Sequence, residues 1–184
     1  MPGLALRAVV ALLMLLPLFG TPTLAQEGLS PRLQIGIGMF PAVIASNQRL
    51  ANDDGQPLTI YLVYRNDSHV AGQLQAALAK IDRIRNHEAQ VEPVAIADLL
   101  ASELEPTSAI FIAEPLDHEI SDLVEFVQRE RVLLFSPFAG DVERGVMAGF
   151  RVTDKVLPMV NMTALKQSNI YLKAFFLRIA VKHE

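Results

Sequence analysis

The chain of 184 residues carries 16 basic and 20 acidic side chains, a formal net charge of −4, and neither cysteine nor tryptophan. That length suits one domain whose core needs no metal or disulfide to hold it. The missing cysteines exclude disulfide scaffolds, thiolate-held zinc, iron–sulfur clusters and thiol catalysis, and an acidic chain without a basic block makes nucleic acid a poor partner.

Residues 1–25 read as a cleaved signal peptide. Arg7 is their only charge, and residues 8–19 form an apolar run. Gly20, Thr21 and Pro22 then break the helix, and Thr23 and Ala25 complete a small-x-small cleavage site before Gln26. The run is too short to span a bilayer. Cleavage removes one base and no acid, leaving 159 residues with a net charge of −5. The expectation is therefore one α/β domain over 26–184, exported to the periplasm, with no membrane insertion after cleavage.

Leu33, Ile37, Phe40 and Ile44 recur at helical spacing. Leu33, Ile35, Ile37 and Met39 also alternate as in a strand, and Gly36 and Gly38 weaken a helix; the reading favours a helix to about Asn47. Residues 52–57 form a polar loop. The run 58–64, LTIYLVY, has almost no polar face and predicts a strand buried on both sides of a parallel sheet. Asp67 or Ser68 can cap the helix that follows, whose stripe is Val70, Leu74, Ala77, Leu78 and Ile81. Residues 91–96 predict a second strand and 98–103 a short helix. Residues 109–113 predict a third strand, and Ile120, Leu123, Val124 and Val127 the next helical face. Residues 132–135 predict a fourth strand, stopped by Ser136-Pro137. After that the grammar changes to a hairpin, 146–153 with 156–162. A helical turn or two follow over 164–169. The chain closes on an amphipathic helix over 171–182, with Leu172, Phe175, Phe176 and Ile179 on its face. Alternating strands and helices imply right-handed crossovers. The fold class is thus α/β: a mostly parallel sheet flanked by helices, with a C-terminal β-hairpin and closing helix.

Chemistry is harder to find. His118 and Asp122 stand four apart on one helix face, but one histidine among acids at a helix start is a solvated N-terminus rather than a metal site, which needs three or four ligands. No metal and no cofactor is expected: Gly36-Ile37-Gly38 lacks the strand and third glycine of a dinucleotide fingerprint. Ser136 follows a strand as a nucleophile would, yet Pro137 replaces the helix that would supply oxyanion donors. Lys80, Arg83 and Arg85 read as a solvated basic face. If the domain takes a small ligand, the crevice lies outside the carboxyl ends of the strands, at Asn66, Asp67, Ser68, Glu114 and Ser136.

Residues 138–150, FAGDVERGVMAGF, continue through Val160-Asn161 to 164–169 and the last helix. Together with strands 58–64 and 109–113, they resemble the YfiR-like family of small periplasmic proteins. That family ends with a strand, a Ser-x-x-x-G-F-type loop, R-G-G-M-I-x-F, a strand closing on F-E-I-N, and two helices. Here the motif stands as Arg144-Gly145-Val146-Met147-Ala148-Gly149-Phe150, with one glycine fewer at its start, and Pro158 and Met159 replace the usual F-E. The likeness covers most of residues 33–182. It implies a non-enzymatic regulator that binds the periplasmic sensing domain of an inner-membrane diguanylate cyclase and restrains cyclic-di-GMP output and biofilm formation. Phe138, Arg144, Met147 and Asn161 are then the candidate partner contacts, and a homodimer is left open. The family's redox-linked disulfides do not carry over to a chain without cysteine. The same residues also have structural readings: Gly145 and Gly149 for tight backbone approach, Phe138, Met147 and Phe150 as core, and Asn161 as a tie from hairpin to helix. The alternative function is a periplasmic small-ligand-binding or transport-accessory protein.

Overall fold

The computed structural model describes residues 28–51, 55–105 and 108–184; the signal-peptide reading of 1–25 and part of the 52–57 loop lie outside them. Helix α1 (Pro31–Ser46) opens on Ser30, whose hydroxyl accepts the amide of Leu33, and on Pro31 in the first turn, where a missing N–H costs nothing. Its buried positions include Leu33, Gly36, Phe40, Val43 and Ile44, so helical spacing wins over the strand-like alternation. A Cβ at Gly36 would lie 3.1 Å from the Phe111 ring and from Pro137, so the glycine lets the helix settle onto the sheet. Phe40 then packs its ring 5.3 Å from that of Phe111 and 5.2 Å from that of Phe135. These three rings join α1 to the centre of the sheet.

The remaining elements are β1 (Leu58–Tyr64), α2 (Ser68–Leu78), β2 (Arg83–Ile84), β3 (His87–Ala95), α3 (Ile96–Leu100), β4 (Ala109–Ile112), α4 (Glu119–Glu130), β5 (Leu133–Phe135), β6 (Ala148–Val152), β7 (Val156–Asn161), α5 (Met162–Gln167), α6 (Ala174–Ile179) and β8 (Val181–His183). The strands form one sheet in the order β2-β3-β1-β4-β5-β6-β7-β8. β3, β1, β4, β5 and β6 run parallel, β7 returns antiparallel to β6, and β8 is parallel to β7. The expected class, a single α/β domain with a mostly parallel sheet flanked by helices, is the observed one. From β1 the chain steps to β3 on one side, and from β4 to β5 on the other. Right-handed crossovers therefore put α2 and α4 on opposite faces, and strand order reverses between β1 and β4. β4 is buried along its whole length, whereas β1, expected to be buried on both sides, leaves Thr59, Tyr61 and Tyr64 only partly buried. Among the described residues no helix is long and apolar enough to cross a membrane.

Two segments depart from expectation. The second strand begins at His87, not Val91, and pairs antiparallel with Arg83-Ile84. Arg83, read as part of a solvated basic face, is exposed and lies in this edge hairpin. His87 explains the early start: its buried ring faces the carbonyls of Gln56 at 2.7 Å and Leu50 at 3.0 Å. The closing helix is also shorter than the predicted 171–182. Lys173 and Ala180 are extended and bound a six-residue α6, after which the chain forms β8. The physical reason is tertiary. Lys173 donates its amide to Ser46, Gln48 donates to Tyr171, and Asn47 bridges Leu172, so residues 171–173 are drawn straight against the end of α1. Of the predicted apolar face, Leu172 and Phe176 are buried, whereas Phe175 and Ile179 are exposed.

Candidate functional site

The reversal of strand order leaves a crevice where β1 and β4 end, and residues there are the natural ligand site of an open α/β sheet. In this chain its own side chains occupy it. Glu114, just beyond β4, accepts the backbone amides of Arg65 and Asn66, the latter at 2.5 Å. The Arg65 guanidinium reaches Asp117 at 3.2 Å and Glu119 at 3.3 Å. Arg144 approaches from the other side and donates to the carbonyls of Leu116, at 3.0 Å, and Asp117. The β4–α4 loop is thus clamped between two arginines. Its charges respond accordingly: the two carboxylates raise the Arg65 pKa, and Glu119 is lowered, first by its own helix-start amide and then by Arg65. Asp67 is spoken for as the cap of α2, accepting Val70 N–H at 3.0 Å, and Ser68 is the exposed first residue of that helix.

Ser136, the remaining crevice candidate, is fully buried and belongs to a different network. Its hydroxyl donates to Asp141 at 2.5 Å and accepts the Phe138 amide at 3.1 Å. Asp141 is itself buried; burial pushes its carboxyl above the ordinary value, while the Ser136 hydroxyl and Arg144 pull the other way. Ser136 is thus neither nucleophile nor crevice wall. It ties the 136–146 loop to the end of β5.

Two of the four residues proposed as partner contacts need correction on the same ground, whereas Arg144 is exposed and Phe138 partly so. Met147 is 0% exposed and Asn161 6%, so neither presents a surface. Asn161 donates to the Val142 carbonyl at 2.8 Å and accepts the Ala164 amide at 2.8 Å, the tie from hairpin to helix that was its alternative reading. Phe138 packs on the core, and Arg144 is held by the β4–α4 loop and by Asp141 at 3.6 Å. Gly145 has φ +108°, and a Cβ on Gly149 would lie 2.6 Å from the Ser136 carbonyl. The motif that carried the resemblance is a structural one.

What sequence reasoning missed is at the other end of the sheet. Among the described residues, the exposed large apolar side chains are Val152, Val156, Leu157, Tyr171, Phe175 and Ile179, all within the C-terminal hairpin and the segment around α6. Beside them Met162, Leu165, Ile170, Leu172 and Leu177 line a groove of about 520 Å³. A second groove, about 570 Å³, runs between α2 and the β2–β3 hairpin, but Asp82, Arg83 and Glu88 line it. The signal for the C-terminal surface was the i, i+4 pair Phe175 and Ile179, read as part of the apolar face of the closing helix. Among the described residues no group of three or more histidine and acidic side chains is placed to hold a metal ion; His118 is exposed and 3.7 Å from Glu119.

No protein-family model matches the chain, and no curated protein matches it. Solved structures do. A conserved domain protein from Vibrio cholerae O1 biovar El Tor aligns at 16% identity with a TM-score of 0.55, over 85% of this chain and 61% of that one. An ABC domain in complex with L-Trp from Streptococcus pneumonia aligns at 14% and 0.54, over 83% and 60%. A ligand-free, open substrate-binding protein with adhesive properties from Clostridium difficile aligns at 10% and 0.54, over 82% and 59%. The chain spans about 60% of the length of these structures. At such identities the likeness is one of fold alone.

Proposed function

We propose that the chain is a non-enzymatic regulatory module of the periplasm that docks on the sensing domain of an inner-membrane signalling enzyme and restrains it. The observation that carries this reading is that, among the described residues, the exposed large apolar side chains all fall between Val152 and Ile179, when scattered single residues are the ordinary pattern. The family resemblance supplies the partner class, a diguanylate cyclase. The substrate-binding protein and the L-Trp-bound domain among the structural neighbours favour a second reading, capture of a small ligand at the strand ends. Against it, Glu114 and Arg65 already fill that crevice with their own charges.

The test is capture from detergent-solubilised membranes by the tagged protein, expressed from its full coding sequence and processed by the cell. The expected result is recovery of a membrane-anchored cyclase or sensor by the wild type. A Phe175→Asp, Ile179→Asp double variant recovers at least about tenfold less, while retaining its thermal midpoint. Recovery of no such protein, together with a thermal upshift by a small ligand, overturns the docking reading in favour of ligand capture, since any tight ligand raises stability by mass action.

A further inference from the structure

β8 is the outermost strand of the sheet, with only β7 beside it among the described residues. It is three residues long, and its register sets Val181, Lys182 and His183 beside Met159, Val160 and Asn161. An edge of this kind presents unpaired amides and carbonyls, which natural sheets protect with charge, shortness or a covering element. Here Lys182 is exposed, and the apolar groove walled by Leu165, Leu172 and Leu177 opens nearby, with Glu184, the residue after β8, at its rim. Alternate side chains of any strand added beside β8 would stand on the two faces of the sheet, one set toward that groove.

Charge selects the occupant. Residues 151–184 carry six basic and two acidic side chains, against ten basic and eighteen acidic in residues 1–150. Of the six, Arg151, Lys155, Lys166, Arg178 and Lys182 are exposed. A two-fold copy of this chain would bring like charges together, Lys182 facing Lys182 across an antiparallel β8 pair, which is destabilising. An acidic segment meets opposite charge at Arg178 and Lys182 and like charge only at Glu184. A membrane surface is the weaker fit, because α6 has only six residues to lay on it and an edge strand offers backbone groups that lipid does not pair.

We propose that β8 receives, as a ninth strand, an extended segment of the partner in which acidic and β-branched apolar residues alternate. Backbone hydrogen bonds to β8 supply affinity, the groove takes the apolar side chains, and Arg178 and Lys182 select the acidic ones. This deepens the docking reading and rests on it.

The probe is an eight-residue peptide alternating glutamate with valine or isoleucine, fluorescently tagged and titrated with the full processed protein. We expect saturable binding, weakened about tenfold by the Arg178→Glu, Lys182→Glu double variant and left unchanged by Arg83→Glu at the opposite edge of the sheet. Methylating every second backbone nitrogen of the peptide in one register abolishes binding; methylating the intervening nitrogens does not. No binding, equal binding of a lysine-for-glutamate peptide, or equal effects of the two methylation registers overturns the proposal. So does retention on phosphatidylglycerol-rich vesicles that the acidic peptide fails to compete. Membrane capture separates the two levels. If the Arg178→Glu, Lys182→Glu variant recovers the partner as well as wild type does, docking stands and strand addition falls. If wild type recovers none, the docking reading falls.

Discussion

At the residue scale, this molecule spends its polar side chains on holding loops. Glu114, Arg65 and Arg144 clamp the β4–α4 loop, and Ser136, Asp141 and Asn161 hold the loop that leads into β6. Asp141 gives a test with a sign. Its carboxyl is raised above the ordinary value, chiefly by burial, so the folded state binds that proton more tightly than the unfolded chain does. A raised acid favours folding below the ordinary carboxylate range, and that contribution is lost as pH rises through the folded pKa. Asp141→Asn keeps an oxygen for the Ser136 hydroxyl and removes the buried charge. Urea unfolding across pH 3 to 7 is therefore expected to show the variant gaining on wild type as pH rises. A difference that is flat, or that grows toward acid, would show that Arg144 rather than burial governs this carboxyl.

At the element scale, close backbone approach decides which positions tolerate a side chain. β6 joins β5 through a single pair, Phe135 with Ala148, and Ser136 donates its amide to the Ala148 carbonyl at 3.0 Å. A Cβ on Gly149 would stand 2.6 Å from the Ser136 carbonyl oxygen and 2.9 Å from Val142, with backbone rather than a flexible side chain in the way. Gly149→Ala is expected to destabilise by about 3 kcal/mol, through overpacking at the join between the parallel strands and the hairpin. The opposite sign is expected at Gly72 in α2, where a Cβ meets open space and alanine is the better helix former by up to about 1 kcal/mol. Denaturant midpoints of the two variants check both; similar midpoints would mean the sheet relaxes at Gly149 more readily than its contacts suggest. Elements also differ in how openly the chain declares them. β1 falls on the boundaries its apolar run predicts, because seven unbroken apolar or β-branched residues admit little else. The start of α6 was not legible, because the bonds with Ser46 and Gln48 that straighten residues 171–173 come from more than 120 positions away.

At the scale of the whole molecule, charge is segregated along the sheet, acidic through the parallel body and basic at the C-terminal edge. Partner capture through that edge should therefore weaken as ionic strength rises, because exposed pairs are screened over a Debye length of about 10 Å at 0.1 M salt. Recovery is expected to fall several-fold between about 0.05 and about 0.5 M salt; recovery that holds or rises would assign docking to apolar burial alone. The candidate sites divide along the same line. Asn66 and Glu114, named from strand ends alone, do come together, since strand order follows from the alternation of strands and helices. Met147 and Asn161 were misplaced on the surface, because a motif states which residues recur and not which way they face. The sequence by itself determined the α/β class, the strand core and most helix spans, because local hydrophobic period is a property of neighbouring residues. Only the tertiary structure decided that Glu114 fills the crevice, that Phe175 and Ile179 face outward and that β8 lies open at the edge. Each of these depends on contacts between distant segments, to which local periodicity is blind.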